Sequence, residues 1–164
     1  MGKDNTRNDI DGIIRRQIKA GERIFKWLDG VTGENEPFQS VFFEGEEEDK
    51  PIMCRMSSMM GRPYRIYTQI NCCNGSIWVY ISFPVKCSED NVPAVMKELT
   101  DINRKLLYGY FILGSDNREV QFTHAYPYGR KIDVEVFKEV FTLYLETVDE
   151  NYDRIISYLS SGQM

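Results

Sequence analysis

Four cysteines and a single histidine are the residues of this 164-residue chain best suited to nucleophilic or metal chemistry. A cysteine nucleophile needs a base held beside it, and only His124 could serve, yet no sequence pattern places it next to a thiol. Cys54, Cys72, Cys73 and Cys87 lack the paired spacing of a zinc site. Neighbours such as Cys72 and Cys73 rarely reach disulfide geometry. We therefore expect no catalytic residue, no metal site and no cofactor, and a packing role for His124.

Carboxylates and glycines also fail to form a recognisable site. The acidic run at residues 44–50 lacks the alternating ligands and the distal bidentate glutamate of a calcium loop. Because clustered carboxylates repel one another and stay hydrated, the run predicts an acidic loop. Gly129-Arg130 is not followed by the Lys-Ser/Thr of a phosphate-binding loop. These patterns argue against an enzyme.

The chain is predicted to form a single domain over residues 1–164, in which residues 1–8 are a disordered tail. The net charge of −5 argues against a nucleic-acid partner, which would require clustered Lys and Arg. No apolar run approaches the roughly 20 residues of a membrane span, and the first residues lack the apolar region of a signal peptide. We therefore expect a cytoplasmic protein with reduced cysteines and no membrane partner.

The first predicted helix spans residues 9–29, where apolar side chains recur at the spacing of one helix face. Asn8 or Asp9 can cap it. The opposite face is basic, and we interpret it as solvated because the chain as a whole is acidic. The apolar stripe contains Ile10, Ile13, Ile14, Ile18, Ile24, Phe25 and Leu28, and the basic face contains Arg15, Arg16, Lys19, Arg23 and Lys26.

Residues 52–59, 64–71 and 76–83 are predicted to form three antiparallel strands, with Asn74-Gly75 as a hairpin turn and an extra short strand at residues 38–43. Side chains alternate between the two faces of these strands. Ile66, Ile70, Ile77, Val79 and Ile81 form one face, which should pack against helices. Tyr67, Trp78 and Tyr80 lie on the other face, where they can bind a partner or simply cover the sheet.

The C-terminal half is predicted as a helix, a β-hairpin and a long helix. The first helix begins near Val92, with Ser88 or Asn91 as its cap, and buries Val92, Val95, Met96, Leu99, Ile102 and Leu106. The strands span residues 108–113 and 118–126, and Gly109 suggests a close approach of another backbone. Asp133 should cap the last helix. That helix carries an apolar stripe from Phe137 to Leu159, wide enough to suggest a homodimer.

A pattern of spaced residues resembles the YbjN-like family, which is described as bacterial sensory transduction regulators. The pattern comprises Leu99-x-x-x-Asn103-x-x-Leu106-x-x-Gly109-x-Phe111, then Glu119-Val120, then a C-terminal helix with Asp149 and Tyr152-x-x-x-Ile156. The resemblance implies an α+β fold in the order α-β-β-β-α-β-β-α, shared with type III secretion chaperones, and a cytoplasmic, dimeric protein-binding module without a catalytic site. In this chain, Asn117-Arg118 stands where the family usually has a glycine.

The predicted function is a non-catalytic protein–protein interaction module, chaperone-like or regulatory, acting as a homodimer. Its candidate partner-binding residues are Tyr67, Trp78, Tyr80, Tyr110 and Met56. Met56 belongs to a methionine-rich segment, and methionine suits a surface that adapts to partners, although it also fills gaps in a core. The alternative is a small-ligand sensor, which would need an enclosed apolar pocket with a few polar groups.

Overall fold

The structure, a computed structural model, describes residues 4–30, 67–73, 75–116 and 118–161. The predicted strands at 38–43 and 52–59 and the acidic loop at 44–50 lie outside the described residues. The described elements are α1 (Asp4–Asp29), β1 (Tyr67–Cys73), β2 (Ser76–Lys86), a short 3-10 turn (Glu89–Asn91), α2 (Val92–Asn103), β3 (Tyr110–Leu113), β4 (Glu119–Pro127) and α3 (Val134–Ser160). This is the α+β architecture predicted from the sequence.

The described strands form one antiparallel sheet in the order β1-β2-β4-β3. The β1–β2 hairpin turns at Gly75, whose φ of 70° is a left-handed conformation that glycine adopts without strain. β2 continues beyond the predicted end at Phe83, and its register with β4 shifts between Ser82 and Lys86. Such an irregularity bends the strand and changes its twist.

The inner face of the sheet packs against helices. Ile77, Val79, Ile81 and Phe83 alternate along β2 and are all buried. The ring of Phe83 stacks on Tyr152 of α3, with ring centroids 5.2 Å apart. Helices therefore cover the aliphatic face, as the alternation predicted.

The start of α3 follows the predicted cap. Asp133 lies in an extended conformation, and its carboxylate accepts hydrogen bonds from the backbone N–H groups of Glu135 at 3.1 Å and Val136 at 3.3 Å. These bonds satisfy donors that have no partner within the first turn of a helix. Ile132 and Phe137, on either side of the cap, are both buried.

Helix α1 differs from its prediction at both its start and its buried stripe. It begins at Asp4, so residues 4–8 are helical rather than a tail, and neither Asn8 nor Asp9 is its cap. Ala20, Ile24 and Leu28 are buried, whereas Ile18 is exposed. The reason is that the contact with α3 runs through Trp27, whose ring meets those of Phe137 and Phe141 at the end of α1. This contact rotates Ile18 away from the core.

Helix α2 also departs from its predicted cap and stripe. Asn91 holds the N-cap position, but its side chain makes no cap bond and its Nδ2 donates instead to the Tyr158 carbonyl of α3 at 3.1 Å. Met96 is 48% exposed, contrary to the prediction. Glu98, which the stripe did not include, is buried, because Arg154 of α3 forms an ion pair with the Glu98 carboxylate. A buried carboxylate requires such a partner.

The loop between β3 and β4 contains a residue in the left-handed region. Arg118 has a φ of 55°, at the place where the sequence departs from the family's usual glycine. Its N–H donates to the Gly114 carbonyl at 3.0 Å, and its carbonyl accepts from the Cys87 N–H at 2.8 Å. These two bonds hold the loop against the end of β2.

Candidate functional site

The outer face of the sheet, opposite the helices, carries aromatic side chains on β2. Trp78 and Tyr80 alternate with the buried Ile77, Val79 and Ile81, so they lie on the other side of the strand. Both residues are half-buried. Their rings are stacked, with centroids 6.2 Å apart and planes 15° from parallel. The alternation had predicted this placement.

Tyr110 lies on the same face, two strands away. The register pairs Tyr80 with Thr123 and Thr123 with Tyr110, so the three residues form one row across the sheet. Thr123 is only 2% exposed, whereas Tyr110 is 44% exposed. The centre of the row is therefore covered, whereas Tyr110 at its end is accessible. We call Trp78, Tyr80 and Tyr110 the aromatic surface.

For the other two candidate partner-binding residues, Tyr67 and Met56, the structure gives less information. The register sets Tyr67 of β1 opposite Ser82, which belongs to the same side of β2 as Trp78 and Tyr80. Met56 lies outside the described residues. The structure thus brings together three of the five predicted residues and places Tyr67 by backbone register alone.

Asn103 fixes β3, and with it Tyr110, against α2. Its Oδ1 accepts from the Phe111 N–H at 2.7 Å, and its Nδ2 donates to the Phe111 carbonyl at 2.9 Å. Both backbone groups of Phe111 are therefore satisfied by one amide. Phe111 itself is buried, so these bonds lie in a place where an unpaired polar group would be costly. The bond to backbone predicted for Asn103 is confirmed.

Gly109 allows the chain to enter β3 close to β4. Its φ is 67°, and a β-carbon there would come within 2.3 Å of Cζ of Phe122 and 3.0 Å of the Thr123 carbonyl oxygen. The predicted close approach is confirmed, although a ring as well as a backbone makes it. Gly109 also ends the strand, so β3 begins at Tyr110 rather than at Tyr108.

Two exposed apolar residues just before Gly109 were not predicted. Leu107 is 90% exposed and Tyr108 is also exposed, in the link between α2 and β3. The sequence pattern places Tyr108 in the strand, whereas in the structure it precedes β3; Leu106, predicted as part of the buried stripe, is half-buried against the core. The available signal was Gly109, because a glycine at positive φ breaks the alternation of side chains that precedes it.

His124 lies on the inner face, between the sheet and α3. Its Nδ1 forms a hydrogen bond with the hydroxyl of Tyr144, and its ring meets that of Tyr108 edge-on, with centroids 6.4 Å apart. Burial lowers the pKa of His124. Burial, together with the nearby Tyr126, raises the pKa of Tyr144. The pair is therefore neutral near pH 7, and the predicted packing role of His124 is confirmed.

Cys87 is a buried thiol at the end of β2. Its Sγ donates to the Ser88 carbonyl at 3.2 Å. Burial raises the pKa of the thiol, and the positive charge of Arg118 offsets this only in part. Because the thiolate is the nucleophilic form, this environment favours a structural cysteine.

An open groove lies beside the start of α3. It has a volume of about 430 Å³ and is lined by Arg23, Lys131, Ile132, Asp133, Val134 and Glu135. Two cations, two carboxylates and two apolar side chains share this lining. It does not match the enclosed, mostly apolar pocket that a small-ligand sensor requires.

The described ranges contain neither a metal-binding group nor a membrane-spanning helix. Among residues 4–30, 67–73, 75–116 and 118–161, no three His, Cys, Asp or Glu side chains lie together as a metal-binding group. None of the described helices is long and apolar enough to cross a membrane.

Comparison with known proteins identifies the chain's relatives. A family model named YbjN, described as "Putative bacterial sensory transduction regulator", matches residues 38–157. The chain is similar to the crystal structure of "YbjN, a putative transcription regulator from E. coli", with 14% identity and a TM-score of 0.53 over 87% of this chain and 90% of that one. No curated protein matches. The family match spans most of the chain, and the shared fold agrees with it, so the chain belongs to the YbjN family.

Proposed function

We propose that this protein is a non-catalytic regulatory adaptor that binds a partner protein through the aromatic surface. The main observation in support is that Trp78, Tyr80 and Tyr110 lie on the same face of the sheet, opposite the helices. Tyrosine and tryptophan combine a large apolar ring with a polar group, and for this reason they are enriched in protein interfaces.

The surroundings of the aromatic surface support this proposal. Gln121, next to it on β4, donates to the Ser82 hydroxyl at 3.0 Å, which adds a polar margin to the rings. Apolar rings bordered by polar groups are typical of a surface that is buried by a partner but tolerates water. The adjoining link also exposes the apolar side chain of Leu107, close to Tyr110 in the chain.

The regulatory part of the proposal draws on the family, whose description names sensory transduction regulators. We further propose that the protein acts in the cytoplasm as a homodimer. The relationship to type III secretion chaperones stays a prediction. A small-ligand sensor is the alternative, and the open groove beside α3, with four charged side chains in its lining, gives it no support.

The experiment is affinity capture from the native cells with three forms of the protein. The wild type is compared with Trp78→Ala/Tyr80→Ala and with Tyr110→Ala, and captured proteins are identified by mass spectrometry. We expect at least one protein to be captured by the wild type and lost with both variants. The captured protein is then purified, and its binding is measured directly by calorimetry.

Tyr158→Ala is the matched control, because Tyr158 is an exposed tyrosine on α3 rather than on the sheet. It should retain the partner. Circular dichroism checks that all variants are folded. If both sheet variants bind every captured protein as tightly as the wild type, the aromatic surface is not the binding site and the proposal is wrong.

A further inference from the structure

Helix α1 presents exposed cations along one side. Arg15, Lys19 and Lys26 are all exposed. Within the part of the chain that the structure describes, none of the three forms an ion pair. The buried residues Ala20, Ile24 and Leu28 occupy the opposite side of the helix. The cations are thus directed away from the core and are available to another molecule.

Helix α3 presents exposed carboxylates in a similar way. Glu139, Glu146 and Glu150 are exposed, and no ion pair between described residues involves them. Leu143 lies among them and is 46% exposed. This side of α3 therefore combines negative charge with an accessible apolar side chain.

The spacing of the two sets matches when the helices run antiparallel. From Arg15, the next cations follow after four and eleven residues, at Lys19 and Lys26. Counted backwards from Glu150, the carboxylates follow after four and eleven residues, at Glu146 and Glu139. Since both helices rise about 1.5 Å per residue, three oppositely charged pairs form together in one alignment.

The parallel alignment fits less well. With Arg15 set against Glu139, Lys26 meets Glu150, but Glu22 then falls opposite Glu146. Two glutamates facing each other repel. In the antiparallel alignment Glu22 falls opposite Leu143 instead. Charge complementarity therefore selects one direction.

We propose that a second copy of this chain docks here, so that α1 of each protomer lies antiparallel to α3 of the other. Both helices belong to the layer on the inner side of the sheet, so their exposed sides face away from the sheet. A surface that carries adjacent positive and negative faces is self-complementary across a twofold axis, because each face meets its opposite twice. The proposal rests on the homodimer proposed above and specifies its surface, which is separate from the aromatic surface on the other side of the sheet.

The test measures dimer mass by light scattering and the dissociation constant by sedimentation. One variant, Arg15→Glu/Lys19→Glu, reverses the charge of α1. The other, Glu146→Lys/Glu150→Lys, reverses that of α3. Each alone should raise the dissociation constant at least about tenfold, because exposed ion pairs are individually weak but the symmetric dimer loses each one twice. The wild-type dimer should also weaken at high salt.

Mixing the two variants provides the decisive result. In a heterodimer the negative α1 of one variant meets the positive α3 of the other, and the two unchanged helices also meet with opposite charges. Dimers should therefore reappear in the mixture, and also in a single chain that carries all four changes. Lys97→Glu/Lys105→Glu is the control, since it alters net charge by the same amount at exposed sites outside α1 and α3.

Several results would overturn the proposal. These are a wild type that is monomeric at all salt concentrations, dimers that survive both reversals, or a mixture that stays monomeric. If the wild type is monomeric and becomes a dimer when the charge of the acidic residues 46–48 is removed, that segment of the same chain, and not a second copy, binds the basic side of α1 in the wild type. Partner capture by the aromatic surface is read out separately with Trp78→Ala/Tyr80→Ala, so failure of the dimer and failure of the proposed function are distinguishable.

Discussion

Replacing Gly109 with alanine tests how closely the start of β3 is held against β4. The new β-carbon would lie 2.3 Å from Cζ and 2.7 Å from Cε2 of Phe122, and 3.0 Å from the Thr123 carbonyl oxygen. Phe122 is fully buried, with Phe111 and Tyr144 against its ring. The ring therefore has little room to move away.

The expected loss of stability has two parts. An L-residue in the left-handed region costs roughly 1–2 kcal/mol. Forcing extra volume into a packed core costs typically 1–3 kcal/mol more. We therefore expect Gly109→Ala to lower the free energy of unfolding by about 2–5 kcal/mol, a large part of the stability of a small domain.

Gly129→Ala is the control that separates the two parts. Gly129 has a φ of 62°, but a β-carbon there would have no atom of the described residues within 4 Å. Alanine also restricts the unfolded chain, and this effect is the same in both variants. Urea unfolding followed by circular dichroism gives both free energies, and their difference should equal the packing part, about 1–3 kcal/mol.

The reasoning fails if Gly109→Ala is no more destabilising than Gly129→Ala. A second check replaces the ring with the smaller side chain of leucine in Phe122→Leu, which removes the atoms that the new methyl group would contact. The double variant should then lose less stability than the sum of the two single variants, because the two changes meet at one place. Additive losses would show that the strain is not located at this contact.

Three further predictions concern single residues. Asn103→Ala should lower the free energy of unfolding by about 2–4 kcal/mol, because the N–H and C=O of Phe111 both lose their partner, and exchange of the Phe111 amide proton should accelerate; unchanged exchange would contradict this. Burial lowers the pKa of His124 below 6.5, so the unfolded chain binds the proton more readily than the folded protein does. The free energy of unfolding should therefore decrease as the pH falls below 6.5 towards the pKa of the folded state. In urea titrations at several pH values, His124→Gln should show a weaker pH dependence of this free energy; the same dependence as in the wild type would contradict the prediction. Arg118→Gly should change the free energy of unfolding by less than about 1 kcal/mol, because the relief of left-handed strain is offset by a freer unfolded chain. Arg118→Val should instead lower the melting temperature clearly; if it melts at the same temperature as the wild type, the backbone at this position is not strained.

The features that the sequence predicted best depend on neighbouring residues. Asp133 caps α3 with bonds to groups two and three residues away, and Gly75 turns the β1–β2 hairpin. Strand alternation likewise placed Trp78 and Tyr80 on the face opposite the core. In each case the physical cause lies within a few residues, so the local pattern was sufficient.

Features that depend on distant contacts were harder to predict. A wide apolar arc does not reveal which side of a helix meets the core, so Ile18 and Met96 were assigned to the interior although both are exposed. Glu98 is buried only because Arg154, far along the chain, supplies the opposite charge. Gly109 marks a break in the sequence pattern, but the exposure of Leu107 also depends on the positive φ that Gly109 adopts in the folded chain.

The amide of Asn103 also decides how the sheet can grow. It offers one donor and one acceptor to Phe111, as the backbone of a fifth strand would. β3 is the last strand on its side of the described sheet, and an uncovered last strand is a template on which other chains polymerise. A strand from another molecule could add there only by displacing this amide. One side chain thus protects the protein against edge-to-edge aggregation.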